Sequence, residues 1–149
     1  MSESFTADIY AFDFEFHAVN GVEGNSPDPV CLVVLDLNTG VTCRYFREQL
    51  QAMEVAPFDT GPDSIWVSFY APAEMDCFIQ LGWPLPDNVL DIFVEFRNLT
   101  NGRHLPHGAS LLGAMAYYGL TSIAPAEKKE MRDLILSGGP WSEKQEAEI

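Results

Sequence analysis

Apolar and polar positions alternate with a period of two over residues 9–16. Ile9, Ala11, Asp13 and Glu15 fall on one face, and Tyr10, Phe12, Phe14 and Phe16 on the other. This pattern predicts a strand with an aromatic core side. Residues 17–29 are rich in Gly, Asn and Pro and read as a loop closed by Ser26-Pro27-Asp28-Pro29. The run VCLVVLDL, 30–37, is nearly all apolar, as in a strand buried on both faces. Asn38, Thr39 and Gly40 are turn residues, so 30–37 and a third strand over 41–47 form a hairpin. Residues 48–55 predict a short helix or a descending loop, and IWVSFY, 65–70, a fourth strand.

The second half changes period. Residues 72–81 predict a helix, with Pro72 in the first turn and Gly82 as the stop. Its apolar side holds Met75, Phe78, Ile79 and Leu81. After a Pro-rich connection, Val89 and Leu90 predict a short strand and 91–97 a helix. A further helix is expected over 106–118, with Leu111, Leu112, Met115 and Ala116 on one stripe and Gly119 as C-cap. Residues 125–136 predict another, with Met131, Leu134 and Ile135 at i, i+3, i+4 and Gly138 and Pro140 stopping it. Ser142 and Gln145 form a capping-box pattern that opens a last helix. The order predicts a mixed α/β fold whose first three strands are antiparallel.

The 149 residues suit a single domain, and a 47% hydrophobic composition suits a true core. Charge sharpens the picture. Eight Lys and Arg against 22 Asp and Glu give 8 − 22 = −14. A protein that grips nucleic acid through a broadly basic surface needs the opposite balance. Phosphate contact would need metal ions, a local basic patch or a surface elsewhere. Residues 1–43 hold no Lys or Arg, and all eight basic residues lie from Arg44 onward. The polar start contains no signal-peptide pattern, and the longest apolar run, 30–35, falls far short of the ~20 residues of a membrane span. The odd set Cys31, Cys43 and Cys77, without paired spacing, fits a reducing cytoplasm.

Several side chains are candidates for chemistry. Asp13 and Glu15 share a strand face about 7 Å apart, where two carboxylates repel each other and are costly to desolvate. A divalent cation removes both penalties, and hard oxygen ligands suit Mg²⁺ or Mn²⁺. A solvent-open strand end is the plain alternative. Glu74 stands one turn into the helix after IWVSFY, either as a third ligand or as a simple charge on the helix dipole. Asp76 lies roughly 200° around that helix from it, so both cannot face one ion. Asp91 reads first as an N-cap. His17, His104 and His107 lack ligand spacing, and Cys77 reads as a small core residue. Lys128, Lys129 and Arg132 form a basic cluster that is either a solvated helix face or a contact for a phosphate backbone.

In order and context these segments resemble the 3′–5′ exonucleases of the DEDD type, of ribonuclease H-like fold. They look most like the proofreading domain of family A (polymerase I-like) DNA polymerases. Asp13-Phe14-Glu15 matches the family's first motif, D-x-E, with the hairpin VCLVVLDL and TCRYFR after it. The run IWVSFYAPAEMDCFIQLGW matches the second, with the family acid on Glu74. VLDIFVEFR, with Asp91, and the segment from Ser110-Leu111-Leu112 to Gly119-Leu120 match the family's next two segments. Two departures stand out. Tyr70 and Glu74 occupy positions where the family has Asn and Asp, and the third motif, a Tyr or His four or five residues before an Asp, does not occur before Ile149.

The resemblance implies a two-metal hydrolysis of the terminal phosphodiester at a single-stranded or frayed 3′ end of DNA, with RNA as the alternative substrate. Asp13, Glu15 and Glu74 would hold two Mg²⁺ or Mn²⁺ ions, and Tyr70 and Asp91 would form a substrate or secondary site. It also implies a polymerase domain on the same full-length chain. Residues 1–149 are then expected to be one exonuclease-like domain, incomplete at its C-terminus and weak or inactive alone. From a different class, a catalytically inactive acidic binding domain on the same scaffold fits the composition.

Overall fold

The computed structural model describes residues 7–21, 24–121 and 124–149; the polar start, 1–6, lies outside them. Strands β1 (Asp8–Gly21), β2 (Gly24–Asp36), β3 (Thr42–Phe46), β4 (Ser64–Ser68) and β5 (Val89–Asp91) form one sheet in the order β3-β2-β1-β4-β5. β1, β2 and β3 pair antiparallel, whereas β4 lies parallel to β1 and β5 parallel to β4. Helices α1 (Arg47–Ala52), α2 (Ala71–Leu81), α3 (Ile92–Leu99), α4 (Leu111–Tyr117), α5 (Pro125–Leu136) and α6 (Glu143–Glu148) complete it. This is the mixed sheet with an antiparallel start that the hydrophobic pattern predicts.

The aromatic face of β1 packs as its alternation requires. Tyr10, Phe12 and Phe14 bury against Trp66, Phe78, Leu50 and Trp83 beneath α1 and α2. Trp66 and Phe78 have no exposed surface, and their rings meet edge-on at 5.3 Å. Fully burying one such side chain is worth about 1.5–3 kcal/mol. The opposite face carries α5: Ile135 and Met131 pack on Val30 and Cys31. β2 is therefore covered on both sides, as its continuous apolar run implies.

Residues 17–21 and 24–29 are not the expected loop; 22 and 23 lie outside the described residues. β1 and β2 continue as a two-stranded ribbon from Phe16 opposite Pro29 to Gly21 opposite Gly24. Pro27 and Pro29 are tolerated because a ribbon edge leaves amides that need no strand partner. The register slips between Glu15 and Phe16, a β-bulge that adds one β2 residue and bends the pair.

The helix expected over 106–118 begins at Leu111, where Ser110 Oγ accepts from the Gly113 N–H at 3.2 Å. Its buried positions are Gly113 and Ala114 rather than the Leu111 stripe. A Cβ on Gly113 would lie 2.5 Å from the carbonyl oxygens of His107 and Gly108, so the bare glycine is what lets this helix seat. The helices over 72–81 and 125–136 and the Ser142 capping box occur as read. No helix among the described residues is long and apolar enough to cross a membrane.

Candidate active site

β1 outruns its parallel neighbour. Pairing with β4 ends at Ala11 opposite Val67, while β1 runs on through Asp13, Phe14 and Glu15. The edge so exposed leaves backbone groups in need of partners. The Phe14 N–H finds one in Glu74, whose Oε2 accepts from it at 2.8 Å. Glu74 is 4% exposed, on the same side of α2 as Cys77 and Phe78. It is thus an interior acid aimed at the strand between Asp13 and Glu15, and not a solvated N-terminal charge.

Asp13 and Glu15 project toward α5 and line a cleft of about 180 Å³ with Cys31, Val33, Lys128 and Arg132. Asp13 reaches solvent at the cleft. The surrounding protein nonetheless pushes its carboxyl up to about 6, and the Glu15 charge adds to the rise. Burial also raises Glu15, against the pull of Arg132 and Lys128. Glu74 is pushed up to about 8, by burial first and then by the Asp13 charge, despite the Phe14 hydrogen bond. Beneath the acids, burial pushes the Cys31 thiol up to about 12, leaving it a small apolar packing group.

Three carboxylates thus feel one another's charge at a single strand. Mutual repulsion among hard oxygen donors is relieved by a hard divalent cation, so the donor set fits Mg²⁺ or Mn²⁺ in kind. Among the described residues, however, no group of three or more His, Cys, Asp or Glu converges as a ready ion cage. Two of the oxygens are otherwise engaged: Glu74 Oε2 with Phe14, and Glu15 Oε2 with Arg132 Nε at 3.2 Å.

Tyr70 and Asp91 are joined to each other rather than to the acids. The Tyr70 N–H donates to Asp91 Oδ1 and the Ala71 N–H to Oδ2, each at 3.0 Å. The same carboxylate accepts from Phe93 and Val94. Asp91 therefore caps α3 from its own chain position and α2 across the sheet. Tyr70 itself sits at φ 74°, a left-handed conformation rarely adopted by a bulky residue. The residue is 53% exposed, and its ring meets Phe93 edge-on. Asp76 faces solvent, away from Glu74, and Cys77 is a buried core residue.

Lys128 and Arg132 were legible in the sequence only as a basic cluster; the structure sets them over the acid pair. Lys128, Met131, Arg132 and Ile135 are spaced i, i+3, i+4, i+7 and so present one face of α5 to the cleft.

A solved structure shares this architecture. It is that of Escherichia coli RNase D, an exoribonuclease involved in structured RNA processing, at a TM-score of 0.54. Sequence identity is 15%, over 95% of this chain and 34% of that one, so the chain spans about a third of that protein's length. The fold is thereby the ribonuclease H-like mixed α/β class expected from the sequence. No protein-family model matches the chain, and no curated protein matches its sequence.

Proposed function

We propose that this chain is a metal-dependent 3′–5′ exonuclease domain that hydrolyses the terminal phosphodiester of single-stranded or frayed DNA 3′ ends. The observation that carries the reading is the acid group on one strand of a ribonuclease H-like sheet. Asp13 and Glu15 face a cleft, and the buried Glu74 stands at the Phe14 amide between them. Asp13, Glu15 and Glu74 would hold two Mg²⁺ or Mn²⁺ ions. Such ions, when bound, supply an activated water and a counter-charge for the leaving 3′ oxygen.

The chain's own residues prepare that chemistry. The Phe14 amide fixes the Glu74 carboxylate at the strand, and the bulge after Glu15 bends the strand pair next to the acid pair. Asp91 holds the turn that presents the exposed Tyr70 ring, a surface on which a base can stack. A polymerase domain on the same full-length chain is the partner this reading implies. The RNA substrate of the RNase D neighbour favours a second reading, in which the same centre trims RNA.

Oligonucleotides with a labelled 3′ end test the proposal. Mn²⁺-dependent binding of the 3′ end is expected, and any shortening must proceed from that end. Both must vanish in Asp13→Ala. Strands of one sequence, as DNA and as RNA, decide the substrate. A chain whose binding of 3′ ends ignores Mn²⁺ would sink the reading.

A further inference from the structure

The ion pair between Arg132 and Glu15 links two features of opposite purpose. Glu15 is a candidate ligand for a cation, yet a cation of the chain already sits on it. The contact is made through Nε, which leaves the four N–H donors of the two Nη groups available for another acceptor. The Arg132 side chain is 55% exposed and Glu15 21%, so the guanidinium lies at the cleft's open side with room to swing. Lys128, one turn earlier on the same face of α5, lines the cleft with it.

We propose that Arg132, assisted by Lys128, is the receptor for the substrate's phosphate, and that its ion pair with Glu15 is the resting position it leaves when divalent ions load. Charge and geometry support this exchange, which rests on the exonuclease reading. At rest, Asp13 and Glu15 against Lys128 and Arg132 give −2 + 2 = 0 in the cleft. Divalent ions held by Asp13 and Glu15 would add positive charge beside a guanidinium that Glu15 then no longer neutralises. Repelled by those ions, the guanidinium would leave Glu15 and turn to the anion arriving in the same cleft. Arg suits the exchange because its planar fork binds carboxylate and phosphate alike. A local anion receptor thereby exists in a chain whose net charge is −14. Lys129 is not among the cleft-lining residues, so the basic cluster divides into two cleft cations and one bystander.

The exchange makes two predictions of opposite sign for Arg132→Gln. Mn²⁺ alone should bind more tightly, because its competitor for Glu15 is gone. A single strand with a hydrolysis-resistant 3′-terminal phosphorothioate, in Mn²⁺, should bind roughly tenfold more weakly, because a charge-assisted contact to phosphate is lost. The slope of log affinity against log salt should fall by about 0.7, the value of one single-strand phosphate contact. Lys128→Gln should weaken the strand in the same direction, Arg132→Lys should restore part of the binding, and Lys129→Gln should change neither. Undiminished strand binding in Arg132→Gln, or weaker Mn²⁺ binding, would overturn the proposal while leaving the exonuclease reading intact. If the unsubstituted chain binds neither Mn²⁺ nor the strand, the exonuclease reading fails and takes this inference with it.

Discussion

Glu74 Oε2 accepts a hydrogen bond from the Phe14 N–H at 2.8 Å across sixty positions of sequence, fixing a buried acid to the strand that carries Asp13 and Glu15. The cost of that placement is a carboxyl pushed up from 4.5 to about 8. The folded state therefore holds this proton more tightly than the unfolded chain. Without divalent metal, stability should be lost as pH rises from about 4.5 through about 8, and Asp13 should add a loss of the same sign between about 3.8 and 6. Glu74→Gln keeps an acceptor for Phe14 but carries no charge. It should flatten the dependence and exceed the parent's stability at pH 8 by up to a few kcal/mol. Urea unfolding of both forms in EDTA at pH 5 and pH 8 checks this; a parent no less stable at pH 8 than at pH 5 would refute it.

Divalent ions should have the reverse effect. If the acids bind Mg²⁺ or Mn²⁺, stability rises by about 2.7 kcal/mol at a hundredfold excess over Kd. For a chain of this size that is a Tm increase of about 5–10 °C. In metal-free buffer Asp13→Ala should melt at or above the parent's temperature, since a carboxylate repulsion is removed. It should then gain nothing from Mn²⁺. Calorimetric melts with and without the ion separate the two effects.

The Asp91 carboxylate serves four backbone N–H groups, at Tyr70, Ala71, Phe93 and Val94. Asp91→Ala should therefore destabilise the chain by about 2–4 kcal/mol, more than a single N-cap is worth, because two helix starts lose their acceptor together. Mn²⁺ affinity should hold, as Asp91 stands apart from the acid group. A loss of ion binding in a variant that is still folded would place Asp91 in the metal site instead.

Gly113→Ala puts a methyl 2.5 Å from two backbone carbonyl oxygens, where no flexible side chain can yield. Overpacking of this kind costs about 1–3 kcal/mol and can cost more. Chemical-shift changes confined to the neighbourhood of α4, with the cleft residues unmoved, are the expected pattern in an NMR spectrum of the variant.

Much of this architecture was legible in residues because each local signal pointed one way. Alternation over residues 9–16 placed Tyr10, Phe12 and Phe14 on one face, in the core, and Asp13 and Glu15 on the other, and the structure has them so. The continuous apolar run in β2 marked a strand covered on both faces. Pro72 and Gly82 bounded α2. What misled was punctuation read without its partner. Ser26-Pro27-Asp28-Pro29 looks like a turn, but the antiparallel pairing to β1 carries the chain straight through it. Pro106 looked like a helix start, whereas Gly108 at φ 74° and the Ser110 cap defer the helix to Leu111. The double duty of Asp91 and the seat of Arg132 on Glu15 join residues 20 or more positions apart, and no local period records such contacts.

The two signs of charge that meet in the cleft arrive from opposite ends of the chain. Glu15 and Arg132 are 132 − 15 = 117 residues apart. Strands β1, β2 and β3 can zip together as neighbours in sequence, but their acid pair stays uncompensated until α5 closes that long loop. Closing a loop of that length carries an entropy cost that pairing between adjacent strands does not. The docking of α5 is thus what brings compensating charge to the acid pair, and high salt, by screening Arg132 from Glu15, should loosen the hold of α5 on the cleft.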